Sequence, residues 1–297
     1  MRKTLLALAL ALPCSVQAQL SRSAVSITGV DTNPCSVALP CRSFTAALAQ
    51  TSSGGEVIAL DSGGYGPFTI TSSVSVMGAP GVYAGITALS GNGISVTPSN
   101  NARVVLRNLY LNGGGSGSAA VAFSTGAGAQ LHVEGLFIQN FNYGLYSYLP
   151  MRIADTKIFN CTKSAVYVDN AGGPVSVTAD RVTIKAALGS VGFYIWRNAT
   201  LTLRDSLIAR ADVGVFLQTG ATQAFVENTM AVQGVIGISI AGGVGRISNC
   251  MVADNTYYGV LVDTVVVQSF QNNRIRGNHV NDVQTVSGGM FTTVGMN

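Results

Sequence analysis

Short runs of alternating apolar and polar residues, broken by turn residues, make up most of this chain. Residues 201–219, LTLRDSLIARADVGVFLQT, are typical. Side chains of a strand point alternately to its two faces, so the apolar positions define an inward set. That set is Leu201, Leu203, Ile208, Val215 and Leu217, whereas Arg204, Leu207 and Phe216 point outward. Three short strands joined by tight turns fit this stretch, although strands so short are marginal in isolation.

A sequence repeat indicates which strands these short strands pack against. A six-residue motif recurs along the chain. It consists of an apolar residue, any residue, a turn residue (Asn, Asp or Gly), two further residues and another apolar residue. The copies are LRNLYL (106–111), VEGLFI (133–138), IADTKI (153–158), a degenerate ADRVTI (179–184), LRDSLI (203–208), VENTMA (226–231), ISNCMV (247–252) and FQNNRI (270–275). They start 27, 20, 26, 24, 23, 21 and 23 residues apart, about 23 on average. The inward-pointing residues of each rung would be buried only when that rung stacks on its neighbours.

The repeat predicts an all-β, single-stranded parallel β-helix of about 23 residues per rung, and the handedness rule for parallel connections makes it right-handed. The second strand of a rung is followed by a third that opens on Gly or another small residue, as in GLYSYL, AVYVD, GFYIWR, GVFLQT, GISIA and GVLVD. The turn residues should stack as a ladder, because Asn and Asp tolerate turn geometry. They are Asn108, Asp155, Asp205, Asn228, Asn249 and Asn272.

A solenoid exposes its ends unless they are capped. In CRSFTAALAQ, Ser43 is a helix start, and Phe44, Ala47 and Leu48 form one apolar face of a short capping helix. We therefore expect a single domain over 19–297. It would comprise an N-terminal segment with the capping helix (19–55), rungs (56–285) and a closing segment (286–297).

The first residues, MRKTLLALALALPCSVQAQ, have the basic, apolar and small-residue regions of a secretory signal peptide over 1–18. No other apolar run is long enough to cross a bilayer. We expect export to the periplasm, the cell surface or the medium. An oxidising compartment favours a disulfide between Cys35 and Cys41. The assigned register separates Cys161 from Cys250 by about four rungs, or roughly 19 Å at about 4.8 Å per rung, so both should be reduced.

Composition narrows the class of function. Charged residues are 10% of the chain, and its net charge is +4 with no Lys/Arg cluster. This argues against nucleic acid as the main partner. The two histidines, His132 and His279, lie far apart, and no cysteine stands at metal-ligand spacing. We expect no metal and no cofactor.

The segments DTNPCSVALPCRSFTAALAQ, GGEVIALDSGGYGPFTI and NNRIRGN resemble exported bacterial right-handed β-helix proteins of the pectin-lyase-like superfold. The resemblance covers about residues 28–290. That superfold includes polysaccharide lyases, glycosidases, epimerases, esterases and adhesins, so it implies the fold and not one activity. The sequence lacks the motifs of the polygalacturonases of this superfold, which are Asn-Thr-Asp, Asp-Asp, Gly-His-Gly and Arg-Ile-Lys. It also lacks the Asp-Pro-His-Asp segment of the epimerases.

One outward column carries charge. It reads Arg107, Glu134, Ala154, Asp180, Arg204, Glu227, Ser248 and Gln271. Opposite charges on adjacent rungs favour a surface ladder of ion pairs. The alternative is a catalytic site on Asp180, Arg204 and Glu227.

Two further outward columns on the third strands are aromatic. One reads Tyr146, Tyr167, Tyr194 and Phe216, and the next contains Tyr148 and Trp196. Such rings suit the C–H faces and hydroxyls of sugars, although stacking along the solenoid would also explain them. The six are our candidate ligand-binding residues.

The sequence favours a non-catalytic, exported module that presents this aromatic face to a polysaccharide or a cell-surface component. A polysaccharide lyase or glycosidase with an unrecognised site is the first alternative. A structural surface or assembly protein, with possible self-association, is the second.

Overall fold

The chain winds into a right-handed solenoid of short parallel strands. The computed structural model describes residues 19–170, 172–220 and 223–295, so the predicted signal peptide lies outside the described residues. One helix, α1, spans Phe44–Gln50. The strands are β1 (Leu20–Val25), β2 (Thr51–Ala59), β3 (Gly63–Gly64), β4 (Phe68–Ile70), β5 (Val74–Gly78), β6 (Ala84–Thr87), β7 (Ile94–Val96), β8 (Arg103–Arg107), β9 (Leu109–Phe123), β10 (Gln130–Glu134), β11 (Phe137–Ser147), β12 (Met151–Ala154), β13 (Lys157–Phe159), β14 (Ser164–Val168), β15 (Val175–Asp180), β16 (Thr183–Lys185), β17 (Val191–Arg197), β18 (Ala199–Arg204), β19 (Leu207–Ala209), β20 (Val213–Gly220), β21 (Gln223–Glu227), β22 (Met230–Val232), β23 (Ile236–Ile240), β24 (Val244–Ser248), β25 (Met251–Ala253), β26 (Tyr258–Asp263), β27 (Val266–Phe270), β28 (Arg274–Arg276), β29 (Asn281–Val286) and β30 (Met290–Val294).

Each regular rung adds one strand to each of three parallel faces. Face A is a sheet of 12 strands in the order β1-β2-β5-β8-β10-β12-β15-β18-β21-β24-β27-β30. Face B contains β3, β6, the first parts of β9 and β11, then β13, β16, β19, β22, β25 and β28. Face C contains β4, β7, the second parts of β9 and β11, then β14, β17, β20, β23, β26 and β29. The predicted fold class is confirmed.

The stacked strands extend further than the repeat suggested. β1 pairs with β2, and β30 pairs with β27, both in parallel. The pairing therefore runs from residue 20 to residue 294, beyond the 56–285 range expected for the rungs. Neither terminal strand is followed by the turn motif, which is why the pattern did not include them.

The turn between faces A and B is built by one left-handed residue in each of seven successive rungs. These residues are Asn108, Gly135, Asp155, Arg181, Asp205, Asn228 and Asn249, with φ between 46° and 64°. Asn and Asp tolerate this conformation because their short side chains bond locally. Asn249 donates from Nδ2 to Oδ1 of Asn228 at 3.0 Å, and Asn228 donates to Asp205. The predicted ladder forms as a run of bonded side chains over Asp205, Asn228 and Asn249, whereas Gly135 and Arg181 interrupt it in earlier rungs.

The last turn differs from the others. Three residues, 271–273, separate β27 from β28, whereas two separate β24 from β25. Asn272 is not left-handed, although its Oδ1 accepts a bond from the backbone N–H of Asn249 at 2.9 Å. The extra residue, Asn273, donates to the carbonyl of Ile247 at 2.9 Å and accepts from the N–H of Cys250 at 2.8 Å. Its amide thus replaces bonds that a regular turn would supply.

The core runs along the solenoid axis. Leu201, Leu203, Ile208, Val215 and Leu217 are fully or almost fully buried, which confirms their predicted inward register. Cys161 and Cys250 are buried and unpaired, also as expected. Burial, opposed by a backbone hydrogen bond, raises the pKa of Cys161 to about 12. Burial likewise raises the pKa of Cys250, so both remain thiols at neutral pH.

The N-terminal end of the solenoid is covered by the predicted helix. Ser43 caps α1 by accepting a hydrogen bond from the N–H of Ala46 at 3.2 Å. Phe44 is fully buried, with its ring 4.7 Å from that of Phe68. The Cys35–Cys41 disulfide is formed. Helix and disulfide together close the first rung.

Two carboxylates join this cap to the first rungs and should make the stability of the protein pH-dependent. Asp31 accepts bonds from the N–H groups of Arg42 and Ser43, each at 2.8 Å. Asp61 accepts from the hydroxyl of Ser26 at 2.6 Å and from Tyr65. Burial acts to raise the pKa of each carboxyl, but these hydrogen bonds outweigh it and hold both pKa values below the usual range.

A depressed folded-state pKa gives stabilisation that is present above the unfolded pKa of about 3.9 and is lost as the pH falls through the folded value. We expect the melting temperature to fall with pH below about 5, and less steeply in the Asp31→Asn/Asp61→Asn variant. Melting curves at a series of pH values test this. Asp212→Asn is the control, because no hydrogen bond to the Asp212 carboxylate is found within residues 19–170, 172–220 and 223–295. Equal slopes in the wild type and the double variant would contradict the prediction.

Candidate functional site: the aromatic row and the groove at its end

The outward aromatic residues lie in one row on face C. Tyr146, Tyr167, Tyr194 and Phe216 are direct cross-strand partners on β11, β14, β17 and β20. Trp196 follows Tyr194 on the same outer surface, one outward position further along β17. We call these five residues and Tyr148 the aromatic row. The predicted register is therefore observed, and all six side chains come together.

The rings of the row pack on one another along the solenoid axis. Tyr146 and Tyr167 stack with centroids 5.0 Å apart and planes 7° apart, and Tyr194 stacks on Phe216 at 5.2 Å. Tyr167 meets Tyr194 edge-on at 5.3 Å. Trp196 lies parallel to Tyr194 with centroids 6.0 Å apart. Each such pair contributes about 0.5–1.5 kcal/mol beyond its buried area, so the row stabilises the solenoid.

This packing corrects one expectation from the sequence. Tyr167 was a candidate ligand-binding residue, but it is 7% exposed because neighbouring rings cover it on both sides. Trp196 is 37% exposed, with the Arg197 guanidinium 5.4 Å from its ring centre. Because the rings of the row pack on one another, they expose mainly their edges to a ligand.

The row ends at Tyr146. In the same column, the preceding rungs carry the small residues Ala122 and Ser95, so the row of rings does not continue there. A groove of about 360 Å³ opens at this point. Its lining residues are Asn92, Ser118, Ala119, Ala122, Ser124, Tyr143 and Tyr146. We call it the end groove: an aromatic wall above a floor of small and hydroxyl-bearing residues.

Sequence reasoning missed Tyr143. Strict alternation from Leu145 places Tyr143 on the inner face, and both residues pair with β9 in one register. Tyr143 is instead half-exposed and meets Tyr146 edge-on at 5.1 Å, with the Lys163 ammonium 5.4 Å from its ring centre. The small residues Ala122 and Ser95, in register with Tyr146, were the available signal for the groove.

The polar groups of the row are neutral or paired. The hydroxyls of Tyr146 and Tyr148 are hydrogen-bonded at 2.5 Å, and Tyr194 donates to Gln218 at 2.7 Å. Burial, followed by the bond to Tyr148, raises the pKa of Tyr146, so its phenol stays protonated. Asp169 is 6% exposed and accepts two bonds from Arg197, at 2.7 and 2.8 Å. This bidentate geometry compensates a buried carboxylate.

The charged column lies on face A, on the opposite side of the turn ladder from face B. Asp180, Arg204 and Glu227 are successive cross-strand neighbours there. Arg204 lies 3.3 Å from Glu227, and Asp180 accepts a bond from Arg181 at 2.7 Å. Arg107 and Glu134 pair at 2.7 Å in the same column. Arg204 and Glu227 thus form an ion pair between adjacent rungs, as expected for a surface ladder.

Within the described ranges, no three His, Cys, Asp or Glu side chains are grouped so that they could hold a metal ion. His132 lies on face A, with Nε2 3.3 Å from Glu134. His279 lies in the turn between β28 and β29, at a distance from it along the axis.

Three stacked parallel faces with an asparagine-rich turn ladder define a parallel β-helix protein. The model of the family described as right handed beta helix region matches residues 134–297. The chain belongs to this family.

Some solved structures are similar to the chain at low sequence identity. A rhamnogalacturonan lyase is 11% identical, with a TM-score of 0.56 over 93% of this chain and 85% of that one. Pectate lyase Pel9A is 15% identical, with a TM-score of 0.49 over 94% of this chain and 76% of that one. ORF18 of Geobacillus virus E2 is 10% identical, with a TM-score of 0.38 over 92% of this chain and 62% of that one. No curated protein sequence matches the chain. In the part of the chain that the structure describes, no helix is long and apolar enough to span a membrane.

Proposed function

We propose that this protein is an exported, non-catalytic β-helix module that binds a polysaccharide in the end groove. The observation that carries the proposal is the groove that Tyr146 and Tyr143 form with the small residues Ala119 and Ala122. A sugar ring presents a C–H face together with hydroxyls, and an aromatic wall beside polar groups complements both. The rest of the aromatic row holds Tyr146 in place by stacking.

The polar groups of the end groove suit sugar hydroxyls. Ser118, Ser124 and Asn92 supply hydroxyl and amide groups that both donate and accept. Tyr146 remains an uncharged phenol, since burial raises its pKa. The groove lining includes no carboxylate or imidazole, the groups most often used for general acid–base catalysis. This composition favours binding over turnover.

A polysaccharide lyase is the second candidate, and the observation that favours it is the placing of Asp180, Arg204 and Glu227 in one column. These residues adjoin a groove of about 440 Å³ lined by Arg204, Glu227 and Arg246. Lyase action would release unsaturated products, which absorb ultraviolet light, so the binding experiment can detect it in the same samples.

Binding of the chain from residue 19 onward to a glycan array, followed by titration of the best glycan, tests the proposal. Tyr146→Ala should weaken binding about tenfold, because it removes the stacking wall. Tyr257→Ala is the matched control, since Tyr257 is an exposed tyrosine in the turn before β26 and should not alter affinity. Circular dichroism verifies that both variants are folded.

Three results would contradict the proposal. The first is unchanged affinity in a folded Tyr146→Ala variant, and the second is an equal loss in the Tyr257→Ala control. Release of unsaturated or reducing-end products would be the third, and would make the protein an enzyme.

A further inference from the structure

A second groove lies on face A and has a different chemistry from the end groove. It has a volume of about 370 Å³ and crosses the outer surface of β8, β10, β12 and β15. Its polar lining consists of Arg103, Gln130, His132, Arg152, Ser176 and Thr178. We call it the basic groove. No carboxylate is among its lining residues.

The strand register sets the positions of the basic side chains. Arg103 pairs with Gln130 in one outward column, while His132, Arg152 and Thr178 follow one another in the next. Arg103 and Arg152 are therefore two rungs and one column apart, which is about 10 Å along the axis at 4.8 Å per rung. Their guanidinium groups can reach two successive anionic groups of an extended chain lying along the axis.

The two arginines differ from others on this side of the protein. Arg107 pairs with Glu134 at 2.7 Å, Arg204 with Glu227 at 3.3 Å, and Arg181 with Asp155 at 2.7 Å. Neither Arg103 nor Arg152 has a carboxylate partner among the residues that the structure describes, and both are exposed.

Glu134 lies beside the basic groove, since it contacts the lining residue His132. It is shared between Arg107 and His132, and their hydrogen bonds lower its pKa. Among the described residues, its ion pairs are with these two side chains and not with Arg103 or Arg152.

We propose that the basic groove binds an acidic polysaccharide, with Arg103 and Arg152 each holding a carboxylate or sulfate group. The planar guanidinium matches both anions with two parallel hydrogen bonds. Gln130, Ser176 and Thr178 offer bonds to sugar hydroxyls, and Val105 and Pro150 give the groove an apolar floor. Two arginines with hydroxyl and amide neighbours, and no Phe, Tyr or Trp ring in the lining, fit a sugar chain better than nucleic acid. This assigns a second site, independent of the aromatic row.

Titration with four probes tests the assignment: oligogalacturonate for carboxylate, chondroitin sulfate oligosaccharide for sulfate, dextran as a neutral chain, and a single-stranded oligonucleotide. Arg103→Gln/Arg152→Gln should weaken binding of the preferred acidic glycan about tenfold or more. The matched control is Arg274→Gln/Arg276→Gln on β28, which removes the same charge from two exposed arginines that also lack a carboxylate partner. It should change affinity less than about twofold, since only diffuse charge is lost.

Several results would overturn the assignment. They are an equal loss in the two double variants, tighter binding of the oligonucleotide than of either acidic glycan, dextran binding as tight as that of the acidic glycans, and no binding of either acidic glycan at about millimolar concentration. Tyr146→Ala separates this site from the end groove. Loss of binding in that variant alone supports the end groove and contradicts the basic groove. Loss of acidic-glycan binding in Arg103→Gln/Arg152→Gln alone supports the basic groove, and the end groove is then decided by the titration of its own glycan.

Discussion

Replacing Gly214 by alanine should lower the free energy of unfolding by about 3 kcal/mol, although the change adds one methyl group. Gly214 lies in β20, and a Cβ at this position would be 2.4 Å from the carbonyl oxygen of Gly237 in the next rung. A backbone oxygen cannot rotate away as a side chain can, so strands β20 and β23 would have to separate. Gly192 and Gly259 make the same kind of approach, at 2.3 and 2.4 Å.

Chemical denaturation followed by circular dichroism measures this effect. Gly64→Ala is the matched control, because a Cβ at Gly64 meets no atom within 4 Å and the residue has no positive φ. Ala165 occupies the same column as Gly214, on β14, where the backbone accepts a methyl group. If Gly214→Ala is as stable as Gly64→Ala, β20 adjusts in the way that β14 does, and the carbonyl contact is not the constraint.

Phe193→Ala should destabilise the protein by about 4 kcal/mol. Phe193 is fully buried in β17 and is among the largest side chains of the core. Its loss removes buried apolar surface and leaves a cavity that the flanking rungs cannot fill, because their strands are fixed by hydrogen bonds on both sides.

The control for the core variant is Phe225→Ala, measured by the same denaturation. Phe225 is a half-buried residue on the outer face of β21, with the Arg246 guanidinium 5.1 Å from its ring centre. Its removal should cost about 1 kcal/mol, mainly through the lost cation–π contact and partial burial. Equal losses for the two phenylalanines would show that inward and outward positions are energetically alike, contrary to the register described above.

The sequence was sufficient for the fold because the same few requirements recur in every rung. An apolar residue on alternate positions and a left-handed Asn or Asp at the turn define the register of Leu203 and Asp205 without further information. The extra residue Asn273 was not predictable, since FQNNRI still satisfies the six-residue pattern. Its effect depends on backbone bonds to Ile247 and Cys250 that only the folded rung brings within reach.

The candidate sites were less predictable, for reasons of packing. Alternation placed Tyr167 outward, but whether an outward ring is exposed depends on the tilt of its neighbours, and Tyr146 and Tyr194 cover it. Strict alternation would also place Tyr143 inward, whereas it is half-exposed on the outer surface. Arg103 lies beside Gln130, and Arg107 lies beside Glu134, so the strand register decides which arginine forms the ion pair.

The turns absorb differences in length between repeats, as Asn273 shows, and this has an evolutionary consequence. An insertion in a turn leaves the alternation of the next strand unchanged, so selection for folding acts on only a few inward and turn positions per rung. The remaining positions are free to vary, and a rhamnogalacturonan lyase that is 11% identical shares the fold over 93% of this chain. Because the core does not constrain the outward columns, separate faces of one solenoid can carry unrelated binding chemistry.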